Sequence, residues 1–261
     1  MLSLAVTALL LLQAPEPLSP AMASVQVTTE NELADQLNED GRHVRFGTSG
    51  QGAVHVWRPR AFKPATAVTV IYLHGFFTDV DRAVLEHQLL AQFRDSGRNA
   101  LFIVPEARSG RGDPIFWSDV KSLLAMVERR TRLKPPERLV VVGHSGAYKT
   151  IVEWLAHEPL EQVMLVDGLY GNDDEFRDWV SAAEEKTRQL VLVGFDTQQR
   201  AEWFLKKHPE AVKLEQLPYL YDELPARVRK AKVVSFQSRR LDHMGLVTTG
   251  HVVPWLLHAF R

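Results

Sequence analysis

The feature that most restricts what this chain can fold into is a succession of short, unbroken apolar runs rich in β-branched residues. They read Val68–Leu73 (VTVIYL), Ala100–Val104 (ALFIV), Leu139–Val142 (LVVV), Val163–Val166 (VMLV), Leu190–Val193 (LVLV) and Lys232–Phe236 (KVVSF). A strand with one wet face alternates apolar and polar residues, so runs without alternation are strands covered on both faces. The intervening segments 80–96, 115–132, 146–157, 174–187, 198–208 and 247–260 carry apolar residues at helical spacing. Strand and helix in strict succession require right-handed crossovers, which predicts an α/β fold built on a doubly wound, mainly parallel sheet. Two alternating segments, His43–Phe46 and Ala53–Arg58, flank the Gly-rich GTSGQG and predict an antiparallel hairpin or a pair of edge strands. In such a sheet, chemistry gathers at the carboxyl ends of the strands.

The N terminus stands apart from this pattern. Met1–Leu12 is an apolar run of about a dozen residues, too short to span a bilayer as a stable helix. A Pro-rich stretch follows and ends in Ala21-Met22-Ala23, whose small residues at −3 and −1 fit a secretory cleavage site. The expectation is a signal peptide over 1–23, one domain over 24–261, a secreted or periplasmic location and no stable membrane span after processing. Charge is balanced at 31 Lys+Arg against 32 Asp+Glu, and the segment 1–23 removes one acid, Glu16, and no base. A neutral chain has no broad field to hold nucleic acid, which leaves a small-molecule or polymer-derived partner. With no cysteine, thiolate nucleophiles, Cys-ligated zinc and iron–sulfur clusters are excluded.

Two strand ends carry chemistry. After LVVV comes Gly143-His144-Ser145-Gly146-Ala147, leading directly into a helical pattern. A serine on a sharp strand-to-helix turn needs small neighbours, because the backbone brings adjacent segments close, and the turn exposes its Oγ above the sheet. Ala147 stands where the motif G-x-S-x-G ends in glycine, a small-for-small replacement. After VTVIYL comes His74-Gly75-Phe76-Phe77, a loop able to aim backbone N–H groups at a developing oxyanion. No strand leads into G-x-G-x-x-G or a phosphate-binding loop. Together the two motifs, on the first and third parallel strands, make the chain resemble the α/β-hydrolase superfamily over essentially the whole of 24–261.

That resemblance implies a serine hydrolase of carboxylic esters, with amides and peptides as the harder alternative, working through an acyl-enzyme and requiring no metal or organic cofactor. Ser145 would be the nucleophile, and the amides of Phe76 and Gly146 the oxyanion hole. The chain order nucleophile, acid, histidine places the base after the last strand, where His243 lies in Asp242-His243-Met244-Gly245. Two carboxylates compete for the third place. Asp196 ends the penultimate strand, the default site for the acid, and Asp167 ends the strand before it, inside Val166-Asp167-Gly168. Glu106 and Asp242 are weaker candidates. Phe77, Tyr148, Tyr170 and Phe195 are placed to wall a substrate pocket. Arg108, Arg111, Arg239 and Arg240 lie in loops on the same face, where a carboxylate or phosphate on the substrate would meet them. No helical cap fits between Val166 and the next helix, whereas 197–231 is long enough either to cover the site or to pack on the sheet edge. The alternative to an enzyme is a catalytically silent α/β-hydrolase scaffold used for binding.

Overall fold

The computed structural model describes residues 34–182, 188–218 and 224–260; the segment expected to be a signal peptide and residues 183–187 of an expected helix lie outside them. The strands are β1 (Ala34–Leu37), β2 (Gly41–Thr48), β3 (Gly52–Pro59), β4 (Val68–Leu73), β5 (Ala100–Pro105), β6 (Leu139–His144), β7 (Leu160–Val166), β8 (Gln189–Gly194), β9 (Val212–Leu214) and β10 (Val233–Gln237). They form one sheet in the order β1-β2-β3-β5-β4-β6-β7-β8-β10-β9. The pairs β1/β2, β2/β3 and β3/β5 are antiparallel, and every pairing from β5/β4 onward is parallel.

All residues of β4, β5 and β6 are buried, which is why their sequences show no polar alternation. The period of two still sorts them by face. Ile71, Leu73, Val141, Leu165 and Leu192 point to one side, packed by the helices α3 (Val120–Thr131), α4 (Tyr148–Trp154), α5 (Asp173–Ser181) and α6 (Gln198–Lys206). Val70, Tyr72, Val142, Val166 and Val193 point to the other, covered by α1 (Val80–Glu86), α2 (Leu89–Asp95) and α9 (Val252–Ala259). Each fully buried Val, Leu or Ile contributes about 1.5–3 kcal/mol relative to exposure, so two such layers stabilise the sheet from both sides.

The helical pattern expected over 80–96 is broken. Gln88 takes a left-handed φ of 51°, and the break turns His87 inward, where its Nδ1 lies 3.1 Å from the Tyr72 hydroxyl. The pattern over 115–132 becomes a helix only from Val120, behind Asp119, whose carboxylate accepts the N–H groups of Lys121 and Ser122 at 3.0 and 3.1 Å. The last helical segment splits into α8 (Gly245–Thr248) and α9 around Gly250, at φ +71°. Strands β1 and β9 carry no apolar run to announce them; β9 is held by its pairing with β10 at the sheet edge. The described part of 197–231 packs on the sheet. Ala201 and Phe204 of α6 join one core, Val228 of α7 (Ala226–Arg229) joins the other, and β9 extends the edge. Among the described residues no helix is long and apolar enough to cross a membrane.

Candidate active site

Strand β6 ends at His144, and a single 3₁₀ turn, Ser145–Ala147, passes straight into α4. Ser145 sits at φ +52°, a left-handed conformation that costs a non-glycine residue about 1–3 kcal/mol and persists only where the surroundings enforce it. The enforcement is visible in two glycines. A Cβ on Gly75 would come 2.8 Å from Cβ of Ser145, and one on Gly146 would come 2.6 Å from the Phe76 ring. Phe77 and Asp167 share the left-handed backbone, at φ 68° and 45°. Three of the strained non-glycine residues therefore sit at the ends of β4, β6 and β7, on the carboxyl edge of the sheet.

Asp167, fully buried, is held by the end of the neighbouring strand. Its carboxylate accepts the N–H groups of Phe195, Asp196 and Thr197 at 2.9, 3.2 and 2.9 Å and the Thr197 hydroxyl at 2.8 Å. Its Oδ2 lies 2.7 Å from Nδ1 of His243. Burial pushes its pKa up, but the hydrogen bonds from His243, Thr197 and Phe195 outweigh this and hold it at about 2. The reciprocal effect raises His243, whose bond to Asp167 outweighs the desolvation of its ring. Asp196 is exposed, with Oδ2 3.8 Å from the same Nδ1 and 3.5 Å from the Tyr170 hydroxyl. The backbone beside Asp196 thus serves Asp167, and the two acids the sequence left open are arranged one behind the other against a single imidazole nitrogen.

His144 ties the serine turn to the histidine loop. Its Nε2–H donates to the backbone carbonyl of His243 at 3.1 Å, and the two rings lie 4.5 Å apart between centroids. Desolvation lowers its pKa to about 3, so it is neutral and the donating tautomer is fixed by the carbonyl. Glu106 stands away from His243. Its Oε1 lies 2.9 Å from Nε2 of His74, and its Oε2 accepts the N–H of Val80 at 3.2 Å, bracketing the loop after β4. In that loop the Phe77 N–H is engaged by Ser109 O at 2.7 Å, whereas the Phe76 N–H has no acceptor among the described residues.

Ser145, His243, Gly146, Phe76, Phe77, Tyr148 and Tyr170 line one cleft of about 690 Å³. Arg111, Lys149, Glu86, His87 and Met244 also line it; Lys149, Glu86 and His87 carried no sequence signal, being embedded in helical patterns. Arg239 lies elsewhere: its guanidinium bonds Glu215 at 2.9 Å, and it borders a separate depression. Arg108 donates to the carbonyl of Arg111. No described residue of 197–231 lines the cleft. Among the described residues, Asp167, Asp196 and His243 form the one trio with metal-ligating atoms within 4.8 Å of one another. The Asp167 oxygens already accept five donors, which leaves no free lone pair for a cation.

No protein-family model matches the sequence, and no curated protein does. Solved structures do match. The feruloyl esterase module from Clostridium thermocellum, solved with sinapinate, superposes with a TM-score of 0.55 at 10% identity, over 88% of this chain and 87% of its own. The fluorophosphonate-binding serine hydrolase F of Staphylococcus aureus gives 0.53 at 12% identity, over 86% and 98%. The hyperthermophilic esterase of the archaeon Pyrobaculum calidifontis gives 0.50 at 11%, over 88% and 84%. The chain has the α/β-hydrolase fold. In an α/β-hydrolase fold the cleft above Ser145 is the crevice beyond the carboxyl ends of the parallel strands, where open α/β sheets place their ligands. At these identities the likeness is one of fold.

Proposed function

We propose that this protein is a serine hydrolase of carboxylic esters. The observation that carries the reading is the strained Ser145 at the mouth of a cleft it shares with His243, whose Nδ1 is held by the buried Asp167 at 2.7 Å. In this reading Ser145 Oγ attacks the ester carbonyl while Nε2 of His243 takes its proton. Asp167 fixes the tautomer and stabilises the imidazolium that forms. The amides of Phe76 and Gly146 hold the oxyanion, His243 returns the proton to the departing alcohol, and water repeats the sequence to release the acid. Asp196, outside hydrogen-bond range and exposed, adds only a screened negative charge. Esters are favoured over amides because an alkoxide leaves more readily than an amine and needs less from the acid step. Residues 1–23 are proposed as a signal peptide that takes the enzyme to a secreted or periplasmic location, and intact mass of natively isolated protein should give a start at Ser24.

A fluorophosphonate probe tests the core of the proposal. Wild type should label and hydrolyse short para-nitrophenyl esters, and Ser145→Ala should lose both while keeping its fold. Absence of labelling in folded wild-type protein, with no ester turnover, overturns it.

A further inference from the structure

Two cations line the cleft, Lys149 and Arg111, without a carboxylate partner among the described residues. Lys149 follows Ser145 by four residues, in the first turn of α4, and lines the same cleft. Its Nζ lies 5.9 Å from the centroid of the Tyr148 ring, which keeps the ammonium at the cleft wall. Arg111 reaches the cleft from the loop after β5, a loop pinned to the oxyanion side by Phe77 N–H to Ser109 O at 2.7 Å and Ser109 Oγ to Thr78 O at 2.8 Å. Among the described residues neither Lys149 nor Arg111 has a carboxylate partner. The one acid lining the cleft, Glu86, is already paired with Arg82 at 3.0 Å. Asp167 does not reach the wall, standing behind His243.

Two cations without a carboxylate partner among the described residues, beside an aromatic wall, select by charge. Resting on the serine-hydrolase reading, we infer that the preferred substrates are esters that carry a second, anionic group, a carboxylate or a phosphate, which Lys149 and Arg111 hold while Ser145 attacks the ester. Neutral esters of the same size lack that anchor. Arg111 is exposed and Lys149 partly buried, and such a charge contact is worth up to about fivefold, so the two together give a preference of about tenfold and at most about 25-fold.

The test compares kcat/KM within two matched pairs at low ionic strength. The acyl-side pair is para-nitrophenyl hemiadipate against para-nitrophenyl heptanoate; the leaving-group pair is para-acetoxybenzoate against its methyl ester. At least one pair should favour the anion by about tenfold or more, and the ratio should shrink as salt rises. Lys149→Met and Arg111→Met should each move the ratio toward one, Lys149→Glu should push it further down, and Lys149→Arg should restore it. Competition by free adipate and by inorganic phosphate then identifies which anion the pair of cations takes. A wild-type enzyme that labels with fluorophosphonate and turns over the neutral esters, yet shows ratios near one or ratios untouched by these variants, overturns the inference alone. Protein that neither labels nor hydrolyses any ester overturns the reading beneath it as well.

Discussion

The carboxylate of Asp167 stands 2.7 Å from Nδ1 of His243, with Asp196 at 3.8 Å from the same nitrogen. The two acids differ in more than distance. Asp167 is buried and bonded by the amides of Phe195, Asp196 and Thr197, so its orientation is imposed, while Asp196 is half in water, where its charge is screened. Asp167→Asn should therefore lower kcat by about 10³–10⁴-fold, since an amide favours the wrong imidazole tautomer. Asp196→Asn should stay within about tenfold of wild type. Steady-state kinetics of the two variants, with circular dichroism to verify folding, checks the contrast. Equal losses would remove the distinction.

The same pair sets the pH dependence. The bond to Asp167 raises the pKa of His243 above its ordinary 6.5, and the charges of Asp167 and Asp196 act in the same direction. In the proposed mechanism only the neutral imidazole accepts the Ser145 proton, so kcat/KM should fall as pH drops through a midpoint above 6.5. Removing the bond leaves desolvation, which acts the other way, so the residual activity of Asp167→Asn should show a lower midpoint. Asp196→Asn should lower it less. A pH–rate profile of the three proteins reads this directly.

How much of this was written in the sequence depends on the range over which each feature is decided. Strand β4 is legible because its burial on both faces leaves VTVIYL without alternation, and Ser145 because a strand–turn–helix needs glycine at 143 and 146. Strands β1 and β9 are invisible because edge pairing selects no apolar pattern. Asp167 and Asp196 could not be ranked from sequence, since the ranking is set by where three amides at the end of β8 converge with the loop after β10. Arg239 looked equivalent to Arg111 until the fold placed Glu215 beside it, and Lys149 was one lysine within a helical pattern until the helix turned it toward the cleft.

Gly75 is where the loop after β4 and the serine turn come closest. An added Cβ would lie 2.8 Å from Cβ of Ser145 and 3.2 Å from Nδ1 of His144, neither of which is the free end of a flexible side chain. Either the loop after β4 or the Ser145 turn must move. Gly75→Ala should lower kcat by about 10²-fold, comparable to losing one oxyanion donor, with a smaller effect on KM. Gly146→Ala presses instead on the Phe76 ring, which can rotate, so it should cost less. Kinetics of the two variants side by side checks the order, and the reverse order would mean that Phe76 is the more rigid element.

His144 joins the Ser145 turn to the His243 loop through one hydrogen bond, from its Nε2–H to the carbonyl of His243 at 3.1 Å. Because desolvation holds it neutral down to a pKa of about 3, this bond persists over the whole range in which the enzyme would work. Replacing it with phenylalanine keeps the ring packed against His243 but leaves that carbonyl without its donor, a loss of about 1–3 kcal/mol in stability. The loop that carries His243 would then lose its tie to the Ser145 turn, while the imidazole keeps its bond to Asp167. His144→Phe should reduce kcat about tenfold with KM little changed, a step of about 1.4 kcal/mol in the barrier, and leave fluorophosphonate labelling slower yet complete. The acid midpoint of kcat/KM should stay close to that of wild type, because the Asp167 contact that raises it is intact. A large shift of that midpoint would show that His144 takes part in the titration and does more than position the loop.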